Sequence, residues 1–164
     1  MALVLSGDAG ITFPVTAGSA SAVQASSGRV LQVVNSSFTT AISTTSTSLV
    51  TTGYGVSITP SNSASKILVI FSASLGNNTN TGSGLRLAIY RGGTNITSTT
   101  GYLLYSQVSG IGLYQTVQVY DSPATTSSTT YTPYYALSGS GTAYMQTNGT
   151  ADFPASLTLM EIAA

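Results

Sequence analysis

The chain has 164 residues, net charge zero, and only 5% charged residues, against about a quarter in ordinary soluble domains. That length fits one domain with a real core, and the charge content leaves no basic stripe to track phosphates, so nucleic-acid binding is not expected. Cysteine and histidine are both absent, which removes disulfides, thiolate chemistry and the side chain most used for proton transfer near neutral pH.

The opening, "MALVLSGDAGITF", has a short apolar patch at Ala2–Leu5 and no basic segment ahead of it, so it is not read as a signal peptide. No apolar run reaches the length of a membrane span. Residues 1–27 are rich in small residues and weakly periodic. They are expected to form an attachment arm, with apolar side chains in small groups: Leu3, Val4 and Leu5, then Ile11, Phe13 and Val15. Such groups suit docking into separate grooves or adding a strand to a neighbour's edge.

From residue 28 to 164 the pattern is that of strands. Apolar residues alternate with polar ones between Gly, Ser, Thr, Asn and Pro clusters. Arg29–Val34 is the first strand and "YGVSIT" at 54–59 the second. Lys66–Ala73 is apolar on both faces and reads as central, with Lys66 a rim charge whose stem lies on apolar surface. "GLRLAIYR" at 84–91 turns through Gly92-Gly93 into "TNIT", the composition of a two-residue hairpin. Strands follow at 101–108, 113–121, 129–137, 142–147 and 155–162. Pro133 marks its strand as an edge or a bulge. No helix is expected, and the spacing of turns fits an antiparallel sandwich or barrel.

Chemistry has little to work with. Asp121 and Asp152 are the only carboxylate pair worth testing as a glycosidase-like couple, and each lies next to a strand end, where Asp commonly serves a turn. No phosphate loop and no calcium-ligand spacing is present. The chain is therefore expected to be a non-enzyme without catalytic residues, cofactors or metals. The ten tyrosines concentrate between Tyr90 and Tyr144. Their ordinary use is half-buried packing. Tyr102, Tyr105, Tyr114, Tyr134, Tyr135 and Tyr144 form the pool for stacking on sugars if the chain binds glycans.

Three stretches carry a resemblance. They are "TTSTSLVTTGYGVSITPSNSASKILVIFSASLG" at 44–76, "GLRLAIYRGGTNI" at 84–96 with "YDSPATTSSTTYTPYYAL" at 120–137, and "SLTLMEI" at 156–162. Together they resemble a domain of tailed-bacteriophage virion proteins, frequent in phages of cyanobacteria and marine bacteria. "MALVLSGDAGITFP" resembles the N-termini of such fibre and decoration proteins. The resemblance implies an all-β, antiparallel jelly-roll-like β-sandwich, assembled as a homotrimer on the outer surface of the virion. It supplies no catalytic residues. Tail fibres of this kind carry a long anchor and shaft before the domain, whereas the first strong strand here begins at Arg29. A capsid decoration (cement) or head-fibre protein, held to the major capsid protein or another virion protein by non-covalent contacts, is thus favoured. A tail-fibre module that binds host-surface glycans is the alternative. Neither nucleic acid nor a membrane is an expected partner.

Overall fold

A computed structural model of the chain describes residues 4–6, 10–12, 28–77, 83–97, 104–106, 112–146 and 154–164. Every regular element among them is a strand: β1 (Val4–Ser6), β2 (Gly10–Thr12), β3 (Val30–Phe38), β4 (Ile42–Thr44), β5 (Val50–Thr51), β6 (Val56–Ile58), β7 (Lys66–Asn77), β8 (Ser83–Arg91), β9 (Thr94–Asn95), β10 (Leu104–Ser106), β11 (Gly112–Asp121), β12 (Thr129–Ser138), β13 (Ala143–Met145) and β14 (Ala155–Ile162). All their pairings are antiparallel.

β1 and β2 form a small sheet of their own, with Leu5 opposite Ile11. The rest make two sheets. In the first, β7 lies between β11 on one side and β14 with β13 on the other, and β3 and β4 continue the sheet beyond β14 and β13. In the second, β12 lies between β8 and the β5/β6 pair, and β8 carries β9 and β10 on its far side. Treating β3–β4, β5–β6, β9–β10 and β13–β14 as interrupted single strands gives eight in chain order. The first, eighth, third and sixth make one sheet, and the second, seventh, fourth and fifth make the other. That order is a jelly roll, so the expected fold class holds.

Period-two alternation explains why the sheets stack. Ile67, Val69, Phe71, Leu157 and Leu159 point inward from the first sheet, and Leu85, Ile89, Tyr131, Tyr135 and Leu137 from the second. Each of these is buried. Phe38 stacks on Tyr54 at 4.5 Å between ring centroids, and the Tyr54 hydroxyl donates to Thr40 O. Gly92 takes φ +56° at the first position of the β8–β9 turn, where the hairpin geometry favours glycine.

Pro133 corrects one expectation. Its strand is neither an edge nor bulged at that residue; β12 is paired on both flanks. Pro133 O accepts from Thr52 N at 3.1 Å, so the ring nitrogen faces the same flank. There the neighbouring strand is interrupted between β5 and β6. The missing N–H falls at the break and costs no ladder bond.

Candidate functional site

Four of the charged side chains, Lys66, Arg91, Asp121 and Glu161, gather at one end of the sandwich, while Arg86 lies farther along β8 opposite Ala136. Asp121 ends β11 and lies opposite Ile67, which Glu161 faces from the other flank. Arg91 Nη1 donates to both Asp121 oxygens, at 2.9 and 2.8 Å, and to Ser122 O at 3.1 Å. The Tyr131 hydroxyl donates to Asp121 Oδ2 at 2.7 Å. Burial, then this carboxylate, pushes the Tyr131 phenol well above its usual range. Asp152 lies outside the described residues. Lys66 begins β7 and its Nζ donates to Ser122 Oγ at 2.7 Å.

Glu161 is fully buried. Its Oε1 accepts from Ser61 N at 2.8 Å and Ser61 Oγ at 2.7 Å, and its Oε2 from Gln32 Nε2 at 2.6 Å. Burial alone would raise its pKa. The donors from Gln32 and Ser61 outweigh that and hold it at about 2. Ser65 Oγ is buried and closes no hydrogen bond. The carboxylate thus ties the Thr59–Ser61 loop and β3 to β14.

Of the six candidate tyrosines, the four whose side chains are described, Tyr114, Tyr134, Tyr135 and Tyr144, fall in three different places. Tyr135 is 2% exposed in the core, where burial, with a lesser effect from Tyr54, pushes its phenol up to about 12; it leaves any binding surface. Tyr134, its neighbour in β12, points to the outer face of the second sheet and stacks on Tyr90 at 4.0 Å. Tyr114 and Tyr144 share the outer face of the first sheet, opposite Ser74 and Gly76 of β7. Tyr114 is half exposed and donates to Pro154 O at 3.2 Å. Tyr105 lies in β10 opposite Gly84, and Tyr102 falls outside the described residues. Of the attachment set, Val4, Leu5 and Ile11 lie in the β1–β2 sheet, while Leu3, Phe13 and Val15 fall outside the described residues.

The feature that sequence reasoning missed is the outer face of the first sheet at the charged end. Register places Val33, Met160, Leu68 and Tyr120 in one row across β3, β14, β7 and β11. Val30 and Ile162 pair in the adjacent row, ending at Lys66. Between these rows β3 carries one extra residue, Leu31, in a bulge. Val33 is 54% and Tyr120 60% exposed, and Val30 and Leu31 are exposed as well. Farther along, the face turns polar through Asn35, Thr158, Ser37, Ser156, Ser72 and Thr116. A signal did exist: "RVLQVV" is apolar on both faces, although β3 is an outer strand of its sheet.

No protein-family model and no curated protein matches the chain. Solved structures similar to it include infectious bursal disease virus Gx strain, at 14% identity over 82% of this chain and 32% of that one, with a TM-score of 0.47. The VP2 protein of infectious bursal disease virus in derived T=1 particles matches at 16% identity, over 99% and 44%, with a TM-score of 0.47. The VP2 subviral particle matches at 17% identity, over 99% and 46%, with a TM-score of 0.46. All are structures of a virus or of particles related to it. The chain spans less than half the length of each, and likenesses of this degree do not carry function from one protein to another.

Proposed function

We propose that the chain is a structural protein of a tailed-phage virion, a trimeric decoration or head-fibre protein on the outer surface of the capsid that stabilises the shell without catalysis. The observation that carries this reading is the exposed apolar band on one sheet of a jelly roll with almost no charge. Such a surface gains free energy by burial against neighbours. The sequence resemblance to phage virion domains supports the phage assignment. Residues 1–27 serve as the attachment arm, with Leu3, Val4, Leu5, Ile11, Phe13 and Val15 as its apolar contacts. An arm of this size binds weakly alone, because ordering its backbone costs on the order of 1–2 kcal/mol per residue. Three arms on one trimer act together through their high effective concentration. Whatever binds only the assembled shell stabilises it by mass action.

The test is labelling of particles with an antibody against this chain, imaged by electron microscopy. Label distributed over the head is expected; label confined to the tail overturns the decoration reading. A variant lacking residues 1–27 is expected to fold and to fail to bind particles. Binding of the intact chain is expected to change little between low and high salt, since few charges are available to screen.

The second reading is a fibre module that stacks host-surface glycans on tyrosine. The shared outer face of Tyr114 and Tyr144, at the end remote from the apolar band, is what favours it. Under that reading Tyr114→Ala lowers adsorption to host cells while particle assembly is unchanged.

A further inference from the structure

We propose that the apolar end of the first sheet's outer face is where copies of this chain pack on one another about a rotation axis. The proposal names the surface of the trimer in the preceding reading and rests on that reading only for the number of copies. A rotation axis brings equivalent groups of identical chains close together, so a charge on such a face meets its own like and repels it. The row Val33–Met160–Leu68–Tyr120 and the Val30–Ile162 pair contain no charge. Two cations border these rows: Lys66, at the rim with its ammonium bonded to Ser122 Oγ, and exposed Arg29, which precedes Val30. A partner bearing charge would leave that charge desolvated and unpaired against this surface. A second copy brings the same apolar rows, and the chain's net charge of zero puts no long-range repulsion between copies.

Size agrees. Four strands about 4.8 Å apart and about five residues of roughly 3.4 Å each give the apolar end roughly 300 Å² in projection, and the polar rows beyond it bring the whole face to roughly 600 Å². That is comparable with the ~800 Å² that each partner gives to a standard interface. The polar rows beyond Ile70 then form a hydrated rim on one side of the apolar end.

The experiment measures mass in solution by analytical ultracentrifugation from about 1 to 100 µM. It uses the full chain, Val33→Lys, Tyr120→Lys, and Thr94→Lys as a control on the exposed β9 of the other sheet. Val33 and Tyr120 are both more than half exposed, so the folded monomer tolerates lysine there. Circular dichroism and thermal midpoints check this. The full chain and Thr94→Lys are expected to be oligomeric, with Val33→Lys and Tyr120→Lys at least tenfold weaker in association. The proposal is overturned if the full chain stays monomeric, if both lysine variants associate like the full chain, or if Thr94→Lys dissociates equally. It is also overturned if only a chain lacking residues 1–27 associates, since the face would then be the seat of its own arm. Particle labelling is read separately, so failure here leaves the virion reading standing or falling by itself.

Discussion

Glu161 is a carboxylate with no solvent exposure, its charge held by hydrogen bonds rather than by a cation. Its pKa lies at about 2 in the folded chain, below the usual 4.5. The folded state therefore binds this proton less readily than the unfolded chain does. Its stabilising contribution is complete above about pH 4.5 and is lost as pH falls towards 2. Glu161→Gln places an amide N–H₂ against either Gln32 or Ser61, both already donors, leaving donors facing each other. We expect it to cost about 1–3 kcal/mol at pH 7. The gap to the parent chain should narrow on acidification, in thermal midpoints measured from pH 7 to 2. A constant gap across that range would show that Glu161 is not the acid-sensitive group. The sequence made Glu161 visible only as one of four acids. Its burial depends on Gln32 and Ser61, distant along the chain, which no local pattern announces. The adjacent Tyr134 and Tyr135 offered more. Successive residues of a strand face opposite sides, so one of them had to leave the surface.

Among the elements, the long strands were legible because one face of each is buried. β8, β11, β12 and β14 alternate more with less apolar residues, and β7 stands out as a long apolar run. The hairpin of β1 and β2 was not foreseen, nor were β4, β5 and the second half of β3. Ser and Thr in β4 and β5 and Asn35–Ser37 in β3 mark those segments as loop, and β1 and β2 are too short for side-chain periodicity to show their pairing. Turns were legible as composition and not as conformation. Gly139, just past β12, takes φ +103°, and a Cβ there would lie 2.8 Å from the Oγ of buried Ser83. That oxygen donates to Ser140 O at 2.9 Å. Gly139→Ala combines backbone strain with this clash and is expected to cost about 1–3 kcal/mol. Urea unfolding should show a lower midpoint with an unchanged slope; an unmoved midpoint would mean the turn relaxes freely.

At the scale of the molecule, the first sheet joins distant parts of the chain. β14 is inserted between β3 and β7, pairing Val34 with Leu159 on one flank and Val69 with Leu159 on the other. It follows every other strand of the sandwich in chain order. During synthesis β3 and β7 therefore wait with open edges until β14 arrives, and no subset of the earlier strands can complete the sheet. A chain ending at residue 154 is expected to lack protease resistance and near-ultraviolet dichroism; a folded product would show that the sheet closes by another route. Pairings this distant make the search slow, in the range of milliseconds to seconds for such topologies. Undoing the fold requires pulling β14 from between two ladders at once, so unfolding is slow as well. The insertion of β14 thus sets a lifetime: once closed, the sandwich resists unfolding through its barrier height, independently of its equilibrium stability.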